Sequence, residues 1–403
     1  MTAPAQVPRL FTRDFATLSI AVLVFFVAGG ILLPVTPLYT QEILLGDRFA
    51  IGIVSGVFAV ASLLMRPFSG RLVDKRGRRI ALLLGSAISV LAALGHLAAS
   101  SIEILIAMRV LLGIGEALFF VAGLAAATDL APANRRGEAI SLVSLSLYLG
   151  IAIGPVVGEL LLDSSGYAAV WILTAVLYVA SVGLSWIVPE TLERIAATDD
   201  RPAAKHPLIH PRGVVPGLLA LCGVWGMGPF FTFVPLMVDD LGLGSSGPYF
   251  GVFALVVVVL RFFGAKLPDR LGTGVLGGTA FISTAIGLVI SGLAVGRLIP
   301  VGEGLMLGTI LFATGVAFTL PAIMAMAVHG VRPDERGAVV GTAGLFVDSA
   351  FALSPAVLGI LATWVDYPPT FLVSAAITTV GAVYLLVRRP GSASGEPGAA
   401  TPA

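Results

Sequence analysis

The sequence predicts an all-α membrane protein of twelve transmembrane helices arranged as two pseudo-symmetric six-helix bundles. Hydrophobic residues make up 57% of the 403 residues and charged residues only 12%, whereas a soluble domain has about 25% charged residues. The apolar residues lie in long runs of about the 20 residues that a helix needs to cross the bilayer. Because irregular backbone cannot face lipid, these runs are expected to be helices rather than strands.

The predicted spans follow one another with mostly short connections. The first run is too long for a signal-peptide core and lacks a convincing small-residue cleavage site, so we interpret it as a retained helix. The spans are residues 15–39, 49–69, 80–100, 102–128, 139–162, 165–188, 213–238, 246–265, 273–296, 303–329, 337–361 and 367–387.

One polar, proline-bearing stretch near the middle of the chain, 190–212, predicts a cytoplasmic linker. It would separate an N-terminal bundle, 1–189, from a C-terminal bundle, 213–389. The Gly- and Pro-rich tail, 390–403, is expected to be a disordered cytoplasmic segment.

The basic residues predict the orientation of the chain. If both termini are cytoplasmic, the outside loops hold only Arg48 and Arg297, and three further arginines lie within spans: Arg66, Arg109 and Arg261. All other Lys and Arg residues are then on the inside, as the positive-inside rule requires. We expect a multi-pass protein of the cytoplasmic membrane with both termini in the cytoplasm.

Composition argues against several classes of function. The net charge of +1 gives no indication of a nucleic-acid partner, and Cys222 is the only cysteine, which excludes an intrachain disulfide and a thiolate metal cluster. No lysine follows a glycine, so the phosphate-binding loop of a primary pump is absent from the sequence. We therefore predict no metal, no cofactor and no enzymatic activity.

The two halves of the chain repeat each other in charged residues and prolines. The run RPFSGRLVDKRG, Arg66 to Gly77, recurs as RFFGAKLPDRLG, Arg261 to Gly272, at an offset of 195. At an offset of 200, Pro155 recurs as Pro355. Parallel repeats of this kind are a recurring transporter plan, in which the binding site lies near the membrane midplane between the halves.

The loop GRLVDKRGRR, Gly70 to Arg79, resembles the signature loop between helices 2 and 3 of the major facilitator superfamily. In that loop we expect Gly70 to permit close helix contact and Asp74 to serve as an anion at a helix N-terminus. A basic loop that only sets topology is the alternative, but the spacing of Gly70, Asp74 and Gly77, and the weaker copy that contains Asp269, exceed what orientation requires.

Three further motifs resemble those of the twelve-span drug:proton antiporters in this superfamily. The first span reads GGILLPVTP, the fourth reads LIAMRVLLGIGEA around Arg109, and the fifth reads GIAIGPVVG. Glu116 and Glu159 depart from the pattern, since each replaces a small residue. The motif positions in the first and fifth spans are Gly29, Pro34, Pro37, Gly150, Gly154, Pro155 and Gly158.

The resemblance implies a monomeric secondary transporter whose partners are a small-molecule substrate, protons and the lipid bilayer. It favours proton-coupled export of drugs or small metabolites. Proton-coupled uptake of a nutrient such as a sugar or an organic acid, and a non-transporting membrane sensor, are the alternatives. The resemblance also implies that Asp129 pairs with Arg78 across the cytoplasmic gate.

Charged residues inside the predicted spans are candidates for transport, because each costs about 2.5–3.5 kcal/mol at the bilayer centre on insertion scales. Arg109 and Glu116 are two helical turns apart on one face, and Asp348 is near the middle of the eleventh span. We expect all three to face a central cavity, with one of the acids carrying the proton. The alternatives are a buried ion pair for Glu116 and a polar packing role for Asp348.

The remaining membrane charges are assigned structural roles. Arg66 and Arg261 are expected to snorkel to the cytoplasmic surface, and Glu159 is expected to be interfacial.

Aromatic residues in the fourth and seventh spans are candidate substrate contacts. Those of the seventh span surround Gly228 and Pro229, where a helix break could open a pocket; packing in the core or against lipid is the alternative. The candidates are Phe119, Phe120, Trp225, Phe230, Phe231 and Phe233.

Overall fold

A computed structural model describes residues 10–132, 135–192, 209–264, 271–332 and 335–388, and the regular secondary structure in these ranges is helical. Asp269, most of the predicted linker and the C-terminal tail lie outside the described residues. The helices are α1 (Arg13–Glu42), α2 (Arg48–Arg76), α3 (Arg78–Gly95, followed by the 3-10 turn His96–Ala98), α4 (Ile102–Leu130), α5 and α6 (together Arg136–Ile187), α7 (Pro211–Asp240), α8 (Gly247–Phe263), α9 (Thr273–Val295), α10 (Val301–Val328), α11 (Arg336–Val365) and α12 (Pro368–Arg388).

Two interruptions decide how the helices are divided. The 52-residue stretch Arg136–Ile187 breaks at Gly166, whose φ of 76° and ψ of 178° are not helical. A positive φ of this kind favours glycine, and it separates α5 (136–165) from α6 (167–187). Helix α7 is interrupted after Val224, where Trp225 and Gly226 precede a second helical segment that starts at Met227.

The helices are suited to a membrane. In the described ranges ten helices are long and apolar enough to span it, with α5 and α6 counted as one, and α8 is a shorter apolar helix. Dividing that one at Gly166 and adding α8 gives the twelve predicted helices, so the predicted fold class is confirmed.

Successive helices run in opposite directions, which gives the bundle two faces. Arg78 at the start of α3 contacts Asp129 at the end of α4, and Arg48 at the start of α2 contacts Asp366 just after α11. We call the end at which α1 begins the proximal face and the end at which α1 finishes the distal face.

Buried apolar side chains form two large clusters. One belongs to α1–α6 and contains Phe25 and Phe119, whose rings stack with centroids 3.9 Å apart. The other belongs to α7–α12 but also includes Leu38 and Ile51 from the first half of the chain. Both of these residues are near the distal face, so the two halves share a hydrophobic core on that side.

The glycine motifs of the first and fifth helices pack directly against each other. A Cβ atom at Gly154 would lie 2.6 Å from the backbone of Gly30, and one at Gly158 would lie 2.8 Å from the carbonyl oxygen of Ile31. Pro34, Pro37 and Pro155 are buried within the same two helices. Small residues let helix backbones approach in the membrane, and α1 and α5 are held together in this way.

Among the described residues the two halves meet most extensively at two seams, α2 with α11 and α5 with α8, and α1 also contacts the second segment of α7. At the first seam a Cβ atom at Gly56 would lie 2.5 Å from the carbonyl oxygen of Ala352. Gly251 on α8 corresponds to Gly56 at the repeat offset of 195, and nothing lies within 4 Å of its Cβ position. The first seam is therefore tightly packed at Gly56, whereas the equivalent glycine of the second half makes no close contact.

Candidate substrate cavity

A cavity of about 230 Å³ lies between the two halves. Side chains from α1, α2, α4, α5 and α6 line one side, and side chains from α7, α10 and α11 line the other. The three predicted membrane charges, Arg109, Glu116 and Asp348, all line this cavity. The structure therefore brings together residues that are more than 230 positions apart in the chain.

The Arg109 side chain is buried, with 4% of its surface exposed, and is held by the backbone of α2. Its Nε donates to the carbonyl oxygen of Val54 (3.1 Å) and its Nη2 to that of Ser55 (3.3 Å). The guanidinium also lies 4.9 Å from the centroid of the Phe58 ring. Carbonyl acceptors and an aromatic face thus compensate this charge, and no described acid forms an ion pair with it.

Glu116 does not pair with Arg109, although the two share a helix face. Its Oε2 accepts a hydrogen bond from the hydroxyl of Ser62 on α2. The alternative of a buried ion pair that holds helices together is therefore wrong for Glu116 among the described residues.

Asp348 forms an ion pair with an arginine of the other half. Its Oδ1 is 2.8 Å from Nη2 of Arg66, and each side chain is 17% exposed. The Arg66 guanidinium also lies 4.6 Å from the centroid of the Phe120 ring. The expectation that Arg66 snorkels to the surface is wrong, because a carboxylate on α11 compensates its charge inside the cavity.

Arg261 also turns inward rather than to the surface. Its guanidinium lies 3.8 Å from the centroid of the Tyr148 ring on α5, and its Nε is buried without a hydrogen-bond partner among the described residues. The expectation that Arg261 snorkels to the surface is therefore wrong, because the Tyr148 ring rather than water lies next to its guanidinium.

Two of the six predicted aromatic contacts line the cavity, Phe120 and Phe231. The other four are buried away from it, because adjacent residues on a helix point in different directions. They are Phe119, Trp225, Phe230 and Phe233.

Sequence reasoning missed several lining residues: Arg66, Ser62, Phe351, Tyr148 and Tyr178. The repeat contained one usable signal, since Tyr148 and Asp348 differ by the same offset of 200 as Pro155 and Pro355. The others are ordinary polar and aromatic residues whose orientation depends on helix packing.

Arg78 and Asp129 form the predicted pair at the proximal face. Arg78 Nε is 2.8 Å from Asp129 Oδ2, with side-chain exposures of 9% and 8%. The hydroxyl of Thr191 donates to the same carboxylate oxygen at 2.7 Å. Both charged residues belong to the first half, so in this structure the contact joins α3 to α4 and does not cross between the halves.

Glu190, rather than Asp74, caps the start of α3. Its Oε1 accepts from the backbone N–H of Arg78 (2.9 Å) and its Oε2 from that of Arg79 (3.1 Å). The Asp74 side chain is 75% exposed and lies 3.9 Å from Arg78. The expectation for Asp74 is therefore wrong in this conformation, because a carboxylate from beyond α6 occupies the helix N-terminus.

The two glycines of the loop have different surroundings. Gly77 has a φ of 101°, and a Cβ atom there would overlap the carboxylate of Glu190. Gly70 has nothing within 4 Å of its Cβ position, so the expectation that it permits close helix contact is wrong. Only Gly77 has a conformational reason to be glycine.

Polar contacts between the halves close the distal face. Arg48 donates to the carbonyl oxygen of Ala362 (2.8 Å), pairs with Asp366 (2.8 Å) and lies 4.3 Å from the ring centroid of Tyr367. Burial raises the pKa of the Tyr367 phenol, while Arg48 acts in the opposite direction, so the ring stays neutral at physiological pH.

Glu159 completes this closure at the other seam. It is 3% exposed and accepts hydrogen bonds from Ser245 and Ser246, which precede α8. The distal ends of the two halves therefore enclose this side chain, and its position at the depth of the membrane interface stays a prediction. No group of His, Cys, Asp or Glu suited to a metal ion occurs in the part of the chain that the structure describes.

Comparison with known proteins places this architecture in a family. The model of the Major Facilitator Superfamily matches residues 18–302 and 279–402. An uncharacterized MFS-type transporter of Salmonella typhimurium, STM4428, is 30% identical over 96% of this chain and 100% of its own length. The multidrug resistance protein MdtG of Klebsiella pneumoniae is 26% identical over 92% of each.

A solved structure shares the fold. The inward-open form of the xylose transporter XylE from E. coli superposes with a TM-score of 0.76, at 13% identity, over 94% of this chain and 96% of XylE. Twelve apolar helices, a cavity between two halves and the match of the family model along nearly the whole chain agree: this protein belongs to the major facilitator superfamily and is an integral membrane transporter.

Proposed function

We propose that this transporter is a proton-coupled antiporter that exports drugs or small metabolites across the cytoplasmic membrane, with the proximal face and both termini in the cytoplasm. The observation that carries the proposal is the cavity itself, in which charged side chains from both halves meet. A charge inside the membrane is costly and usually marks a proton or substrate pathway. Arg109, Glu116 and Asp348 are the residues assigned to that pathway.

Asp348 and Glu116 are the candidate proton carriers. Asp348 is paired with Arg66 of the other half, so its protonation removes one charge of an ion pair that links the two halves. Glu116 is hydrogen-bonded to Ser62 and has no cationic partner in the described ranges. In the proposed cycle an acid takes up a proton while the cavity is open to the outside, and it releases the proton inside, where cargo binds.

The direction of transport is supported by two observations. The motifs of α1 and α5, which resemble those of drug:proton antiporters, form one closely packed helix pair. A relative along 92% of the chain is named as a multidrug resistance protein. Aromatic side chains from both halves, Phe120 and Phe231 among them, suit a cargo with apolar surface.

Transport by everted membrane vesicles tests the coupling. Fluorescent probes of cationic, anionic and neutral type are supplied outside vesicles whose interior is acidified, and accumulation inside is expected for an exporter. Asp348→Asn or Glu116→Gln is expected to abolish gradient-driven accumulation. Asp239→Asn and Glu303→Gln are matched controls, because both side chains are exposed near the distal face; they should retain it.

Two results would contradict the proposal. If both cavity variants accumulate probe as the wild type does, the proton assignment is wrong. If only right-side-out vesicles accumulate probe when the gradient is imposed, the protein is an importer.

A further inference from the structure

Arg66 and Arg261 occupy equivalent positions of the repeat, but their partners across the halves differ in chemistry. Arg66 and Arg261 are 195 residues apart, and their partners Asp348 and Tyr148 are 200 apart, which are the two offsets of the repeat. Arg66 meets a carboxylate at 2.8 Å, whereas Arg261 meets an aromatic ring at 3.8 Å. Of these two equivalent contacts, one therefore provides a negatively charged group.

The Arg66–Asp348 pair is incompletely satisfied. A single hydrogen bond joins the two side chains, although an arginine and a carboxylate commonly form two parallel ones. Arg66 Nε and Asp348 Oδ2 are both buried and have no hydrogen-bond partner among the described residues. A buried pair that leaves a donor and an acceptor unpaired gains little stability over its desolvation cost, so another cation can compete for the carboxylate.

Arg66 has an alternative favourable contact when it separates from Asp348. Its guanidinium already lies 4.6 Å from the centroid of the Phe120 ring, at a distance where a cation is attracted to an aromatic face. Releasing the carboxylate therefore does not leave the arginine without compensation.

The side chains that line the cavity are better suited to bind a positively charged group than a negatively charged one. Two of the donors of Arg109 are occupied by the carbonyl oxygens of Val54 and Ser55. Among the described residues Glu116, the second acid of the cavity, has only a serine as its hydrogen-bond partner. Aromatic rings such as Phe351 line the same space and add cation–π attraction.

We propose that Asp348 is a cation-exchange site in which Arg66 is a tethered occupant, and that the positively charged group of the cargo displaces it. The inference rests on the proposed function in taking this cavity as the cargo site, and it adds the chemical class: an amine or quaternary cation on an apolar body. The carboxylate is available to the cargo only in the fraction of molecules in which Arg66 has left it. The apparent Kd is therefore the intrinsic Kd divided by that fraction.

Equilibrium binding to the purified full-length protein tests the inference. The probes are tetraphenylphosphonium, a permanent cation, and triphenylphosphine oxide, a neutral molecule of related shape, measured by calorimetry in alkaline buffer, where carboxyl groups are most fully ionised. Arg66→Gln removes the competing charge. If the arginine occupies the site nine-tenths of the time, the Kd for the cation is expected to fall about tenfold, while that for the neutral probe stays the same.

Matched variants make the result specific. Arg261→Gln, at the equivalent position of the repeat, should change neither Kd. Adding Asp348→Asn to Arg66→Gln should abolish the gain. If Arg66→Gln does not fold, Arg66→Met makes the same test with an apolar side chain that suits the membrane interior.

An unchanged or higher Kd for the cation, or an equal change for both probes, would overturn the inference. Because binding needs no gradient, this outcome would leave the proposal of proton-coupled export standing. Conversely, the expected change in binding without gradient-driven transport would contradict only the proposed function.

Discussion

Replacing Asp129 by asparagine removes the negative partner of a buried arginine at the proximal face. Arg78 keeps its hydrogen bond to the carbonyl oxygen of Val73 (3.1 Å) but loses the carboxylate at 2.8 Å. The superfamily signature directs attention to Asp74 instead, whose side chain is 75% exposed and 3.9 Å away. The two aspartates therefore provide a direct comparison between the motif and the structure.

The size of the effect follows from burial. Both side chains of the Arg78–Asp129 pair are about nine-tenths buried, and removing one partner of a buried pair costs about 3–5 kcal/mol because the other charge is left uncompensated. With a sensitivity of about 2–4 °C per kcal/mol for a unit of roughly 200 residues, the Tm should fall by roughly 10 °C. Asp74→Asn, at an exposed position, should change stability by about 0.5 kcal/mol or less.

Thermal unfolding of the purified protein in one detergent, followed by tryptophan fluorescence, measures both variants. The wild type and Glu303→Gln, an exposed carboxylate at the other face, provide the reference. Equal Tm values for Asp129→Asn and Asp74→Asn would refute the reasoning, as would a larger loss for Asp74→Asn.

Three further predictions concern packing. Gly56→Val should keep the distal face open, because its Cβ would lie 2.5 Å from the carbonyl oxygen of Ala352. A cysteine introduced into the cavity in a Cys222→Ser background should then react faster with an impermeant maleimide added on that side. Gly251→Val, with nothing within 4 Å of its Cβ position, should leave the reaction rate unchanged, and equal rates for the two variants would contradict the assigned seam. Gly154→Ala should lower stability by about 1–3 kcal/mol, because the added methyl group would overpack the contact between α1 and α5. Gly183→Ala should not lower it, since Gly183 has open space at its Cβ position. Unchanged thermal unfolding of both variants would count against the contact. Phe351→Ala should weaken probe binding with little change in Tm, since its ring lines the cavity. Phe312 is 1% exposed in the hydrophobic cluster of α7–α12, so Phe312→Ala should instead cost about 3–5 kcal/mol of stability. The reverse order of effects would contradict the assigned lining.

Much of the fold is predictable from the sequence because a membrane imposes a simple requirement on the chain. Every span has to be a helix of about 20 apolar residues, so hydropathy alone predicts the twelve helices. The offset of 195 between Arg66 and Arg261 likewise predicts that the chain consists of two repeated halves. The cavity charges Arg109, Glu116 and Asp348 stand out for the same reason, since a charge in an apolar run is conspicuous.

The positions of side chains around each helix are less predictable. In a helix that is apolar on all sides, hydrophobicity does not distinguish the face that meets a cavity from the face that meets a core or lipid. Phe119 and Phe120 therefore look alike in the sequence, yet one is stacked on Phe25 and the other lines the cavity. The same ambiguity explains why Arg66 was expected to reach the surface.

The sequence by itself determined the number of helices, their repeat and the identity of the few charges inside the membrane, because hydropathy and charge are properties of each residue. Only the tertiary structure decided the partners of those charges: Arg66 with Asp348, and Glu190 rather than Asp74 at the start of α3. These partners are 282 and 112 residues apart in the chain. The physical reason is that the compensation of a buried charge depends on which helix lies next to it, and that is set by the packing of all the helices together.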